Sequence, residues 1–268
     1  MIEPSARHRI EGSPPWLRRH RMVWIAPAHH ARVAAEIPDR PLRGIVANGL
    51  AAGWPVVVRQ QTREDIRLGV QDEIAFDMLA VGMPLPPAQG KGRVALSVAR
   101  EWIARTAPPP LLAAAIPHLP EPRRAGLLRL EQRANAIGLA LRVYGSVAWE
   151  ALTGCRYLTP ESDVDLLWQP TTVRQLRAAI AMLSAWESNS GIRADGEILF
   201  GDDDAVAWRE WARGESACVG HECGTAATRV LVKALSGPRL EEREKVLACL
   251  PCSEISSCAV VCGDMAGA

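Results

Sequence analysis

A proline-rich stretch near the middle of the chain does most to limit how this sequence can fold. Residues 106–122 include six prolines, and each proline fixes one backbone dihedral angle and removes one hydrogen-bond donor. The stretch has room for at most one or two helical turns, so we predict a linker over residues 101–122. The 268 residues then divide into a module over 16–100, a larger domain over 123–250, and a tail over 251–268 that we expect to be disordered.

The segment before the linker predicts a small α+β module. Its short runs of β-branched residues, bounded by proline or glycine, are typical of strands. Strands are expected at 22–26, 55–59 and 93–98, a helical segment at 63–68, and either short helices or loops at 31–36 and 41–52. The basic run Arg18–Arg21 could meet an acidic partner, but the sequence favours a charge run exposed to solvent. No catalytic motif stands out in this segment.

The segment after the linker alternates strands and helices more regularly, which predicts helices packed on a small mixed sheet. Helices are expected at 123–135, 147–152 and 173–186, and strands at 139–144, 164–168 and 192–200. Residues 206–211 could form a strand or a helix, and we predict a closing helix over 228–235. The predicted fold class is α+β for the whole chain.

The charge and hydropathy of the chain exclude some classes of protein. Lysine plus arginine exceed aspartate plus glutamate by 31 − 30 = 1, so no global field marks a nucleic-acid-binding or membrane-binding protein. No run reaches the ~18 uncharged apolar residues of a membrane span, and the first residues lack the apolar region of a signal peptide. We therefore expect a cytoplasmic protein without nucleic acid or membrane partners, whose seven cysteines are reduced.

Six of the cysteines lie near the carboxyl end and raise the alternative of a zinc site. Cys249 and Cys252 form a CxxC pair, and Cys218 and Cys223 flank His221, which are ligand types that zinc prefers. The spacing of the second pair is loose, however. We interpret these residues as free thiols.

The most informative acids are Asp163 and Asp165, which alternate with the apolar residues Val164 and Leu166. Residues two apart on a strand project from the same face, so both carboxylates are expected on one side of the sheet and the apolar pair in the core. Adjacent carboxylates repel each other, and a hard divalent cation such as Mg²⁺ relieves that repulsion. The sequence therefore predicts that Asp163 and Asp165 are catalytic metal ligands. The alternative is that Asp163 is only a turn or capping residue.

Gly145 and Ser146 stand where a predicted strand leads directly into a helix. The unpaired N–H groups and the dipole of a helix N-terminus favour phosphate, so we predict phosphate binding there. A plain N-cap is the alternative for a Gly-Ser at such a position. The run Gly90-Lys91-Gly92 does not complete a Walker loop, because the earlier glycine of that pattern is absent.

A third acid is expected on the next strand, where Asp195 and Glu197 share a face. Either residue could complete the catalytic site, and we favour Asp195. Lys233 on the predicted closing helix could reach a phosphate, although a surface position is the alternative.

Several stretches of the sequence resemble one family. A Gly-Ser turn followed by Asp-x-Asp on the next strand is similar to the signature of the polymerase-β-like nucleotidyltransferases. The stretches YGSVAWEALTG, SDVDLLW, RADGEI and VAWREW resemble the malonate decarboxylase holo-acyl-carrier-protein synthases, also called phosphoribosyl-dephospho-CoA transferases. In the first segment, RHRMVWIAP, PVVVRQ and RVALSV are similar to the smaller amino-terminal module of that family. The resemblance runs from about Arg18 to Lys233.

The resemblance implies a nucleotidyltransferase-like catalytic domain and a particular reaction. The enzyme would transfer phosphoribosyl-dephospho-CoA from its triphosphate precursor to a serine of the acyl-carrier-protein subunit of malonate decarboxylase, releasing diphosphate. The resemblance also implies Mg²⁺ on Asp163 and Asp165, the leaving diphosphate at Gly145 and Ser146, and Asp195 or Glu197 as base or third ligand.

Two alternatives to this function stay open from sequence. One is a nucleotidyltransferase that uses ATP or another nucleotide on a different acceptor. The other is a non-catalytic binding module whose Asp-x-Asp pair is structural and whose cysteines hold zinc.

Overall fold

The computed structural model describes residues 17–61, 78–121, 123–201, 203–218 and 229–250. The described chain forms two sheets with helices packed against them, so the predicted α+β class is confirmed. No helix among the described residues is long and apolar enough to span a membrane.

The first sheet has five antiparallel strands in the order β4-β3-β2-β1-β5. They are β1 (Met22–Ile25), β2 (Val56–Val58), β3 (Met78–Pro84), β4 (Arg93–Ala99) and β5 (Ile103–Ala107). Helices α1 (His30–Ala35) and α2 (Arg40–Ala51) add buried side chains to the same core. The α2 helix begins after Asp39, whose side chain accepts a hydrogen bond from the Leu42 N–H at 2.8 Å and so caps one free backbone donor.

The second sheet has six strands in the order β11-β10-β9-β8-β7-β6. They are β6 (Arg142–Val143), β7 (Val164–Trp168), β8 (Ala194–Phe200), β9 (Asp204–Ala207), β10 (Arg229–Ala234) and β11 (Gly237–Glu242). The central strands β7 and β8 pair in parallel, and the other described pairs are antiparallel. The sheet is therefore mixed, as predicted for this segment.

The remaining helices surround the second sheet. They are α3 (Leu112–Ala115), α4 (Arg123–Ala136), α5 (Gly145–Thr153), α6 (Val173–Ser190), α7 (Trp208–Cys218) and α8 (Arg243–Leu247). The α6 helix is capped at its start by the Thr172 side chain and ends at Gly191, which has a left-handed φ of 67°. Buried Trp186 of α6 donates its indole N–H to the Gly126 carbonyl of α4 at 3.0 Å, which fixes these two helices side by side.

The structure differs from the sequence prediction at two elements. The closing helix predicted over 228–235 is wrong, because residues 229–234 form strand β10. Val230 and Val232 are buried while Arg229 and Leu231 are exposed, which is the two-residue period of a strand. The predicted linker also contains β5, which pairs with β1 at the edge of the first sheet and ends just before the prolines 108–110.

Three sequence predictions fall partly or wholly outside the described residues. They are the helical segment over 63–68, the disordered tail over 251–268, and most of the cysteine cluster. In the described part of the chain, Cys155 and Cys249 are free thiols.

Candidate active site

The acids of β7 and β8 meet at the centre of the second sheet. Asp165 and Asp195 are directly paired in the parallel register of these strands, so both project from the same face. Their apolar neighbours Val164, Leu166 and Ala194 are completely buried on the opposite face. The strand and the orientation predicted from the alternating sequence are therefore present.

Gly196 allows the two strands to approach each other beside these acids. It has a φ of 132°, and a Cβ atom there would overlap with the backbone of Leu166. Its N–H donates to Asp195 Oδ1 at 2.8 Å. Any larger residue at this position would separate β7 from β8 or change the orientation of the Asp195 carboxylate.

Gly145 brings the start of α5 against the Asp165 carboxylate. The Tyr144 N–H donates to the Asp165 carbonyl at 3.0 Å, which places the turn beside this strand. Gly145 has a left-handed φ of 58°, and a Cβ atom there would overlap with Asp165 Oδ2. No side chain caps the start of α5, so its first N–H groups are open to a ligand. The structure therefore brings together the predicted phosphate site and one predicted metal ligand.

A cavity of about 360 Å³ contains Asp165, Gly145 and Ser146 in its walls. The first sheet also contributes to the lining, with Lys91 from the turn between β3 and β4 and Arg93 from the start of β4. Sequence reasoning did not find these two cations. Nothing in the local sequence could have indicated them, because their position depends on how the two sheets pack.

Burial and the neighbouring acids disfavour the ionised form of the Asp165 carboxylate. Burial raises the pKa of Asp165 to about 7, with further contributions from Asp195 and Asp163, and the positive charge of Arg93 opposes this rise. A carboxylate in such a position is stabilised by a bound cation. The oxygen-rich, repulsive acid cluster therefore fits a hard divalent cation.

Asp163 lies just before β7 and is less enclosed than Asp165. Its Oδ2 is 3.6 Å from Arg193 Nε, and about a third of its side chain is exposed, 33%. Within the described ranges, no three His, Cys, Asp or Glu side chains are already arranged around a metal position. Mg²⁺ commonly takes only one or two carboxylates together with substrate phosphates, so this acid set is compatible with a site that the substrate completes.

Glu197 occupies a different environment although it is only two residues from Asp195. It is buried, and its carboxylate contacts Arg19 at 3.1 Å, His20 at 3.0 Å and Lys233 at 3.0 Å. Burial by itself would raise the pKa of Glu197, but the hydrogen bonds and charges of His20 and Arg19 outweigh it and hold the pKa well below its usual range. Glu197 is thus a permanently ionised centre of an ion-pair network.

This network changes the interpretation of two sequence features. Lys233 lies on β10, binds Glu197, and is not among the described residues that line the cavity. Arg19 and His20 belong to the basic run that sequence analysis placed in solvent, yet both contact buried Glu197. The cluster of basic residues in Arg18–Arg21 was the sequence signal for this contact. The role of Arg19 and His20 becomes visible only when buried Glu197 is seen beside them.

Tyr144 links the two acidic centres. Its ring lies 4.3 Å from the His20 ring, centroid to centroid. The pKa of the Tyr144 hydroxyl is raised by burial and by the charges of Glu197, Asp165 and Asp195. Tyr144 therefore stays protonated and lies within electrostatic reach of both Glu197 and the acids Asp165 and Asp195. Sequence analysis included Tyr144 in a motif but gave it no role.

Comparison with known proteins covers nearly the whole described chain. Residues 18–109 match the N-terminal domain of phosphoribosyl-dephospho-CoA transferase MdcG, and residues 111–244 match its C-terminal domain. No solved structure matches the chain.

Curated relatives named phosphoribosyl-dephospho-CoA transferase cover most of the sequence. The protein of Xanthomonas campestris pv. campestris is 38% identical over 229 residues, which is 84% of this chain and 94% of the relative. The protein of Bradyrhizobium diazoefficiens is 34% identical over 74% of this chain and 83% of the relative. The protein of Pseudomonas aeruginosa is 30% identical over 82% and 90%, respectively. The resemblance found in the sequence motifs is confirmed, and the chain belongs to the phosphoribosyl-dephospho-CoA transferase family of enzymes.

Proposed function

We propose that this protein transfers phosphoribosyl-dephospho-CoA from its triphosphate precursor to a serine hydroxyl on the acyl-carrier-protein subunit of malonate decarboxylase. The observation that carries the proposal is the contact of the Asp165 carboxylate with Gly145, at the uncapped start of α5 and inside one cavity. A phosphate chain needs both elements, because N–H donors bind its oxygens and the acid recruits a cation. Family membership supports the identity of the transferred group.

The start of α5 is the proposed site for the leaving diphosphate. Its free N–H groups and the Ser146 hydroxyl supply hydrogen-bond donors, and the helix dipole favours negative charge there. Gly145 lets these donors approach the phosphate without a side chain in between. The role of this turn is therefore to hold and orient the group that departs.

Asp163 and Asp165 are the proposed ligands of Mg²⁺, in agreement with the fit of this acid cluster to a hard cation. When bound, Mg²⁺ supplies positive charge that stabilises the phosphate oxygens during the transfer. The raised pKa of Asp165 supports this assignment, since it reflects burial of the carboxylate beside the negative charges of Asp195 and Asp163.

Asp195 is the proposed acceptor for the serine proton. The serine oxygen forms a bond to the phosphorus nearest the ribose, the bond from that phosphorus to the diphosphate breaks, and the proton passes to the Asp195 carboxylate. Asp195 Oδ1 accepts from the Gly196 N–H, which orients the carboxylate. Glu197 suits this role less, because Arg19, His20 and Lys233 contact its carboxylate and its pKa is held well below its usual range by the interactions with His20 and Arg19.

The test offers the purified protein, Mg²⁺ and the apo carrier protein either the triphosphate precursor or ATP. Mass spectrometry should find the carrier heavier by one phosphoribosyl-dephospho-CoA group with the precursor, and unchanged with ATP or after EDTA treatment. Glu161→Gln, which changes an exposed acid in the loop before β7, serves as the matched control for Asp165→Asn. Modification from ATP but not from the precursor would support the alternative nucleotidyltransferase and contradict this proposal.

A further inference from the structure

We propose that Lys91, in the turn between β3 and β4, and Arg93, the first residue of β4, bind a phosphate chain of the substrate, so that the first sheet supplies part of the active site. The inference rests on the proposed function, and it assigns substrate-binding residues to a region in which the sequence shows no chemistry. Both cations line the cavity that also contains Gly145, Ser146 and Asp165.

The backbone of the turn presents Lys91 at the cavity. Gly90 and Lys91 both have left-handed φ values, 98° and 49°, which reverse the chain within a few residues. The Leu85 N–H donates to the Gly92 carbonyl at 2.8 Å and closes the base of the turn. A non-glycine residue with positive φ is uncommon, so the position of the Lys91 side chain depends on this tight, hydrogen-bonded turn.

Arg93 is oriented by its own strand. It is paired with Pro84 in the antiparallel register of β3 and β4, and its aliphatic stem passes over Gly82. A Cβ atom at Gly82 would lie 3.4 Å from both Cγ and Cδ of Arg93. The stem thus lies against Gly82 at van der Waals distance, and Arg93 lines the wall of the cavity.

A hydrogen-bond chain holds this turn against α5. The Tyr157 hydroxyl donates to the Pro84 carbonyl at 3.0 Å, and the Tyr157 N–H donates to Glu150 Oε2 at 2.9 Å. Glu150 is a buried residue of α5. The wall with the two cations is therefore fixed relative to the helix whose N-terminus faces the same cavity.

The charges of the cavity favour a phosphate chain over a neutral ligand. Asp165 is the acid in its wall, and the positive charge of Arg93 acts on it without forming a close ion pair; among the described residues, neither Lys91 nor Arg93 forms an ion pair with a carboxylate. A polyphosphate would be repelled by Asp165 alone, and two cations in the same cavity offset that repulsion. Arginine also binds phosphate through two parallel hydrogen bonds.

The precursor contains two phosphate chains, the triphosphate on its ribosyl group and the diphosphate within its dephospho-CoA part. Both chains present negatively charged phosphate oxygens, which are the groups that Lys91 and Arg93 would bind. Inorganic triphosphate and dephospho-CoA, each used as a competitive inhibitor, represent the two chains separately.

The experiment compares Lys91→Gln, Arg93→Gln and the double variant with wild-type protein in carrier modification. Arg129→Gln, on the exposed side of α4, makes the same change of charge away from the cavity. Each cavity variant should raise the KM for the precursor about tenfold, the effect of one lost hydrogen bond between charged groups, with a smaller change in kcat. Lys91→Arg should restore the KM, and thermal unfolding should show that the variants fold.

Inhibition then identifies the phosphate chain. Weaker inhibition of the variants by inorganic triphosphate assigns the cations to the triphosphate, and weaker inhibition by dephospho-CoA assigns them to the diphosphate. The inference is overturned if folded Lys91→Gln and Arg93→Gln match Arg129→Gln in KM and in inhibition by both compounds. Wild-type protein that fails to modify the carrier would instead contradict the proposed function, so the two failures are distinguishable.

Discussion

Strand β8 carries two acids, two residues apart on the same face, that belong to different electrostatic centres. Asp195 lies beside Asp165, where burial and like charge raise the pKa of Asp165 to about 7. Glu197 is surrounded by Arg19, His20 and Lys233, which keep it ionised. The same face of one strand thus presents a centre in which like charges repel and a centre in which one buried acid is paired with several basic side chains. The first is suited to bind cations and substrate, and the second to hold structure.

The ion-pair network around Glu197 also joins the two sheets. Arg19 and His20 precede β1 of the first sheet, whereas Glu197 and Lys233 are on strands of the second sheet. Arg19 additionally donates to the Lys233 carbonyl at 3.2 Å. Because Lys91 and Arg93 of the first segment line the cavity, the Glu197 network contributes indirectly to the shape of the cavity.

The largest expected effect is the loss of transfer in Asp165→Asn. Removal of a preorganised charge from the reacting site should reduce the transfer rate about 1000-fold, while the free energy of unfolding stays the same or rises because a repelled charge has been removed. Transfer kinetics and urea unfolding measure the two quantities. Near-normal turnover in the folded variant would show that Asp165 is structural.

In contrast to Asp165→Asn, the Glu197→Gln substitution should mainly reduce the stability of the fold. The substitution leaves Arg19, His20 and Lys233 without their shared anion, and we expect the free energy of unfolding to fall by about 2–3 kcal/mol. The value is at the lower end for a buried ion pair because 38% of the Lys233 side chain is exposed. Urea unfolding, with Glu161→Gln as the control, measures it. An unchanged midpoint would mean that the network does not stabilise the fold.

The two centres should also give stability profiles of opposite slope with pH. The lowered pKa of Glu197 gives stability that is present above its ordinary value of 4.5 and is lost as the pH falls below it. The raised pKa of Asp165 means that the folded state binds more protons between its ordinary 3.8 and about 7, so this group reduces stability as the pH rises through that range.

Unfolding free energies measured from pH 3 to pH 8 would separate these contributions. Glu197→Gln should reduce the loss of unfolding free energy at acid pH. Asp165→Asn should reduce the loss of unfolding free energy as the pH rises towards neutrality. Mg²⁺ should reverse that decline in wild-type protein but not in Asp165→Asn. Parallel profiles for wild type and both variants would contradict the contrast between the centres.

The smallest expected effect is that of Tyr157→Phe, which removes only the hydrogen bond to the Pro84 carbonyl. We expect about 1 kcal/mol less unfolding free energy and a KM for the precursor that rises less than in Lys91→Gln. Steady-state kinetics and urea unfolding provide both numbers. A kcat loss as large as that of Asp165→Asn would indicate that Tyr157 contacts the reacting atoms.

Local patterns in the sequence were sufficient for part of this site. The alternation around Asp165 predicts β7 and its buried face, and the Gly145-Ser146 pair predicts a turn into α5, because these features involve residues close together in the chain. The helix predicted at β10 is wrong because a run as short as 229–234, with four apolar residues and two cations, fits either period until a partner strand is known. The same reasoning missed β5, whose pairing with β1 is invisible before folding.

By itself, the sequence determined the α+β class, the family, the acids of β7 and the glycine turn beside them. Only the tertiary structure decided that Glu197 and Lys233 belong to an ion-pair network, that Arg19 and His20 are not a solvent-exposed charge run, and that Lys91 and Arg93 face the cavity. The physical reason is that the state of a charged side chain depends on burial and on the charges around it. Those charges come from residues up to 178 positions away, and only packing of the two sheets brings them together.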